Sequence, residues 1–172
     1  MEKQRKPVLF PIALILALLL AALALWRFLP RELSSILPEK VQSVTAYATV
    51  CGAYPTADIL QYEMQELPAS SAEGGTILDA LAQMRVRPGL RNLLPWPPKS
   101  YTENGSMDTA SVFMRSGKEG ENSCCTLAFY TTGTVTLLKS GRAGIWVYHI
   151  TEKALTEQFI TWITENGTQL QE

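Results

Sequence analysis

The chain has 172 residues, 47% of them hydrophobic and 18% charged, with a formal net charge of −1. The apolar share excludes a disordered chain. The lack of a basic block argues against nucleic acid or an anionic lipid surface as partner. One histidine and three cysteines without a C-x-x-C spacing are too few for a zinc site of usual composition.

Pro7 to Trp26 are twenty consecutive uncharged residues, preceded by Lys3, Arg5 and Lys6. A helix of this length rises about 30 Å, the thickness of a bilayer's hydrocarbon core. Its Leu, Ile, Phe and Val side chains supply roughly −4 to −7 kcal/mol of insertion free energy. Residues 1–6 are therefore read as a cytoplasmic tail and 7–29 as a transmembrane helix, a signal-anchor in contact with the lipid bilayer. The basic start places the N-terminus inside the cell membrane and the rest of this single-pass chain outside. Trp26 beside Arg27 fits headgroup depth, where an amphipathic ring meets a snorkelling cation. The alternative is a signal peptide cleaved after Ala22-Leu23-Ala24, which would make the protein secreted. Against it, the apolar run continues through Leu25 and Trp26 to Leu29 without a polar segment.

Residues 30–40, with Pro30 and Pro38, read as a juxtamembrane linker, and 41–172 as an extracytoplasmic α+β domain. Beyond Pro30 the chain holds eleven Lys or Arg against fifteen Asp or Glu. Val41 to Val50 alternates apolar and polar residues, which predicts a strand. In Asp58 to Glu66, Ile59, Leu60, Tyr62 and Met64 fit a strand or a short helix, and the strand is taken. Pro68 to Gly75 reads as a loop. Thr76 to Asp79 resembles a capping box opening a helix with Ile77, Leu81 and Met84 on one face, ending near Val86. Arg91 to Ser106 is rich in proline, which forbids a central strand there, and Trp96 reads as a lid over the core edge.

Thr109 to Arg115, Ser123 to Tyr130, Thr134 to Lys139 and Ile145 to Ile150 predict four strands. Short turns join them, including the hairpin signal Thr131-Thr132-Gly133. Thr151 then caps a last helix striped with Leu155, Phe159, Ile160, Trp162 and Ile163, which Asn166-Gly167 ends. The predicted fold is α+β: one N-terminal transmembrane helix, then an antiparallel β-meander sheet with two amphipathic helices packed on one face.

The chemistry-bearing residues yield no catalytic, cofactor-binding or metal site. His149 shares a strand face with Ile145 and Val147 and reads as a hydrogen-bonded structural residue. Glu119 and Glu121 read as a solvated hairpin tip. Ser116-Gly117-Lys118 and Ser140-Gly141-Arg142 lack the spacing of a phosphate loop. Asn104-Gly105-Ser106 and Asn166-Gly167-Thr168 are formal glycosylation sequons that also read as turns. Cys51, Cys124 and Cys125 read as small buried hydrophobes, with a bridge from Cys51 to one of the others as the alternative.

Leu37-Pro38-Glu39-Lys40-Val41-Gln42-Ser43-Val44, the helix from Ile77 to Met84, and Gly144-Ile145-Trp146-Val147-Tyr148 leading into an amphipathic helix form a recognisable succession. In this order they resemble a family of small extracytoplasmic, membrane-anchored domains of unknown function from Gram-positive bacteria. The resemblance covers most of residues 37–165; Arg87 to Ser106 and the paired cysteines have no counterpart in it. It implies a location and a fold type, and no activity. The expected function is binding of a protein partner or ligand by the extracytoplasmic domain. The alternatives are an assembly subunit of an envelope complex or a membrane-tethered enzyme whose site is dispersed in sequence.

Overall fold

The structure, a computed structural model, describes residues 9–51, 58–93, 108–117, 123–141 and 144–170. It opens with helix α1, Leu9–Phe28. Pro11 lies in the first turn, where the missing N–H would have had no partner in any case. No residue of the apolar window Pro11–Phe28 is buried. By length and composition the helix is able to cross a membrane.

The nine strands among the described residues form one antiparallel sheet. They are β1 (Arg31–Glu32), β2 (Val41–Cys51), β3 (Ile59–Pro68), β4 (Arg85–Pro88), β5 (Thr109–Ser116), β6 (Ser123–Tyr130), β7 (Thr134–Lys139), β8 (Trp146–Ile150) and β9 (Thr168–Leu170). The order across the sheet is β1-β4-β8-β7-β6-β5-β2-β3-β9. The centre is the expected meander β5 to β8, and β2 and β3, both expected as strands, extend it past β5 as a hairpin. Gly133 makes the tight turn between β6 and β7 with φ +88°, a conformation that a Cβ would strain.

Register explains the core. Ala46, Val112, Leu127, Leu137 and Trp146 stand opposite one another across five strands. Residues directly opposite share a face, and the first four of these are buried. Two helices, α2 (Ala72–Gln83) and α3 (Lys153–Asn166), contribute to the same buried cluster through Ile77 and Leu81, and through Phe159, Ile160 and Ile163. Phe159 meets Phe129 edge-on, with ring centroids 5.5 Å apart. Both helices contact β2 and β3.

Several local expectations need correction. Helix α2 begins at Ala72, inside the segment read as a loop, and its N-cap is Ser71, whose hydroxyl accepts from the Gly74 N–H at 3.0 Å. The Gly74-Gly75 pair that suggested a loop has a packing cause. A Cβ on Gly74 would lie 2.3 Å from the Pro68 carbonyl oxygen. The same helix ends at Gln83, and Val86 lies in β4, opposite Ile150. Helical spacing from Leu81 to Met84 hid the change to extended backbone. Glu152 rather than Thr151 is the N-cap of α3, and no side chain caps it. Gly167 is extended and leads directly into β9, an exposed edge strand.

The segment expected as a linker carries part of the fold. Arg31 pairs opposite Val86, and a 3-10 turn follows at Leu33–Ile36. Leu33 is 0% exposed, and its N–H donates to the Met84 carbonyl at 2.8 Å. The chain thus passes from α1 into the sheet edge with only Leu29 and Pro30 between.

Candidate functional site

Several hollows among the described residues are concave, as a binding site requires, and two of them gather side chains from elements far apart in the sequence. One is a groove of about 230 Å³ between α2 and α3. Ala80 and Met84 form one wall, Leu155, Phe159 and Trp162 the other, and Gln83 and Gln158 rim it. It arises because each helix turns its apolar stripe to the sheet and the flanks of the two stripes face each other. Its size suits one or two partner side chains more than a cofactor.

The second hollow, of about 330 Å³, lies where α1 joins the domain. Arg27 ends α1, Arg31 is in β1, Ser35 is in the 3-10 turn, Lys139 ends β7, and Trp146 and Tyr148 are in β8. The sheet brings these together because β1, β4, β8 and β7 are successive neighbours. Arg27, Arg31 and Lys139 are half-buried, and no carboxylate lines the hollow among the described residues. One guanidinium nitrogen of Arg31 donates to the Arg27 carbonyl at 3.2 Å. The Trp146 indole N–H is buried without a hydrogen-bond partner.

The residues singled out in the sequence are scattered. His149 is exposed, not held in the core. It does share a face with Val147, but that face points away from α2 and α3. Val147 is buried there because Asn92 binds its backbone twice. The Asn92 amide donates to the Val147 carbonyl at 2.7 Å and accepts from its N–H at 2.9 Å. Ser116 is buried and shares a hydrogen bond with the Ser123 hydroxyl at 2.8 Å, so it serves the β5–β6 turn. The Asn166 amide donates to the Trp162 carbonyl and closes α3. Glu119, Glu121, Lys118, Arg142, Trp96 and Asn104 lie outside the described residues. No group of acidic, histidine or cysteine side chains able to hold a metal exists among the described residues.

The three cysteines are unbridged. Cys124 stands opposite Arg115 and Arg115 opposite Ser43, whereas Cys51 is eight residues further along β2. At about 3.3 Å per residue, that separates Cys51 from the Cys124 end of the sheet by about 26 Å, far beyond the roughly 7 Å that a disulfide spans. Burial pushes the Cys125 thiol up to about 11, partly offset by the Lys139 cation. It is a poor nucleophile at neutral pH. Tyr47 is also raised, by its hydrogen bond to Glu63 and by burial.

No protein-family model, curated protein or solved structure matches the chain. The two hollows differ in the chemistry they offer. One offers an apolar slot, and the other a cation-lined cavity with hydroxyl and indole donors beside it.

Proposed function

We propose that this is a single-pass membrane protein whose α+β domain sits directly on the extracytoplasmic surface and binds a partner or ligand there. The observation that carries the reading is α1, whose apolar window has no buried residue, continues to Phe28 and meets the sheet after two residues. So short a connection supports a domain held at the headgroups rather than displayed away from them. An unbroken helix through Ala22-Leu23-Ala24 supports an anchor over a cleaved signal. The cluster Lys3, Arg5 and Lys6 supports an inside N-terminus, with domain residues from Arg31 onward outside. The resemblance to small membrane-anchored Gram-positive domains agrees with that location. The groove between α2 and α3 is the candidate surface for a partner.

Two measurements on the expressed full chain test this reading. Alkaline extraction should leave the intact protein in the membrane fraction. Protease added to wall-stripped cells should digest a C-terminal tag without lysis. A mature N-terminus at Leu25, or a tag protected until lysis, would sink the reading.

A further inference from the structure

We infer that the hollow at the junction of α1 and the sheet binds one phosphate-bearing headgroup, that of an anionic phospholipid in the membrane that α1 enters. The inference rests on the reading of α1 as an anchor. Sequence composition argues against a broad anionic surface as partner. The described residues instead form a cavity that gathers cations from three separate segments.

Charge makes the first part of the argument. Arg27, Arg31 and Lys139 border one cavity of about 330 Å³, and none of them forms an ion pair among the described residues. Like charges at half-buried positions repel in a medium of reduced dielectric, and a shared anion removes that cost. Phosphate suits the donors present. A guanidinium offers five N–H groups in a planar fork, and only one nitrogen of Arg31 is engaged with the Arg27 carbonyl. Ser35, at the rim, spends its hydroxyl proton on the Glu32 carbonyl at 2.7 Å, so the cations supply the donors.

A structural role accounts for only part of this. Snorkelling explains Arg27, and covering the C-terminal carbonyls of α1 explains Arg31. Neither explains Lys139, which comes from β7, nor the sealed indole N–H of Trp146 in the same wall. A small turn of that ring would present a donor-only atom to an oxygen in the cavity.

Position selects the source of the phosphate. Arg27 is in the last turn of α1, next to Trp26, which is 70% exposed. A second hollow of about 580 Å³ shares Arg27, Arg31 and Ser35 and adds Trp26, Leu29 and Pro30. The cation cavity is therefore continuous with apolar surface on the α1 side. A free phosphate has no use for that surface, whereas a lipid's glycerol and first methylenes do.

The test uses the purified full chain in neutral detergent, with thermal unfolding read against added short-chain phosphatidylglycerol, phosphatidylcholine or inorganic phosphate. Native mass spectrometry gives the stoichiometry. Phosphatidylglycerol should raise the unfolding temperature saturably, with one lipid retained per chain, and phosphatidylcholine should not. Lys139→Gln should weaken that binding by about tenfold or more, the cost of one charge-assisted contact. Lys139→Arg should largely retain it, and Arg115→Gln, at an exposed cation paired with Glu66, should leave it unchanged. Equal shifts with both lipids would overturn the site without recourse to any variant. A well-folded Lys139→Gln protein that binds like the wild type would overturn it too. Inorganic phosphate matching phosphatidylglycerol at equal concentration would keep a phosphate site and overturn the lipid as its source. A chain that extracts as an integral protein yet ignores phosphatidylglycerol fails this inference alone. A chain cleaved at Leu25 fails the anchor reading instead.

Discussion

The groove between α2 and α3 and the cavity at the foot of α1 are built in opposite ways. Two helices make the groove, and each of its walls is the flank of an apolar stripe. The cavity takes its walls from five elements, and its cations from residues 27, 31 and 139. Helical periodicity writes the first kind of surface into the sequence, because a stripe that meets a core must recur at i, i+3 and i+4. Nothing periodic writes the second. It follows from which strands neighbour which, and sheet order is a long-range property.

The largest effect expected lies on the groove side. Phe159 packs on Phe129 and lines the groove as well, so Phe159→Ala removes both a core contact and a wall. It should destabilise the folded chain by about 3–5 kcal/mol. Glu157→Ala, on the exposed side of α3, should change stability by less than about 0.5 kcal/mol. Lys139→Gln should also change it little, since a cavity wall that exists for a ligand adds little to the unliganded fold. Denaturant melts of the three variants in the same detergent check this. Similar small losses for Phe159→Ala and Glu157→Ala would mean that α3 does not dock through this face. A large loss in Lys139→Gln would mean that the cavity is a structural joint.

The same contrast explains how much was legible beforehand. All six expected strands formed. Alternation marked some of them, as in β2, because half-buried strands must alternate. By contrast, the residues of β3 fit a helix as well, and most of β7 is buried on both faces. The α3 stripe fell on the buried side for the same kind of reason. Missed were β1, β4 and β9, of two to four residues, too short for a period to register. Their pairing is decided by neighbours: β4 exists because β8 offers it an edge, and β1 because β4 offers another. Leu33 looked like part of a linker because a single apolar residue beside Pro30 has no pattern. Burial of Leu33 comes from the 3-10 turn laying it against the core. His149 was placed on the right strand and the same face as Val147, but strand alternation cannot say which face is open. The cation cavity was unreadable, since Lys139 is 112 positions from Arg27.

An intermediate effect sharpens the comparison at the seam between core and cavity. Cys125 is buried on β6, opposite Lys139 on β7. Its folded pKa is about 11 against 9.0 for the ordinary thiol, raised by burial. The folded state thus favours the neutral thiol. The stabilisation is complete below pH 9 and is lost as pH rises through 11. A two-unit difference corresponds to about 2–3 kcal/mol at most. Wild-type stability should fall by about 2 kcal/mol between pH 8 and pH 10.5. Cys125→Ala, less stable at pH 8 for the lost volume, should lose less over that range. Tyr47, also raised, titrates in both proteins and cancels in the difference. Parallel pH profiles for wild type and Cys125→Ala would show that the thiol is not sealed from water.

The smallest effects expected separate the two hollows most cleanly. Among the described residues, two buried side-chain polar atoms lack a hydrogen-bond partner: the Thr156 hydroxyl on the core side of α3 and the Trp146 indole N–H in the cavity wall. Each costs the fold roughly 1–3 kcal/mol relative to a satisfied group. Replacing either by an apolar residue of similar shape removes that cost. Thr156→Val should raise stability by up to about 1 kcal/mol, with some of the gain offset by imperfect repacking. Trp146→Phe should gain less, because the smaller ring gives up packing. If the Thr156 hydroxyl is a flaw of the core and the indole a donor kept for a ligand, the two variants part when phosphatidylglycerol is added. Thr156→Val should then gain the same lipid-induced rise in unfolding temperature as the wild type. Trp146→Phe, folded and at least as cooperative, should gain a smaller one. Identical responses would place the indole with the hydroxyl as an uncompensated group in the packing. The cavity would then hold its anion through its cations alone.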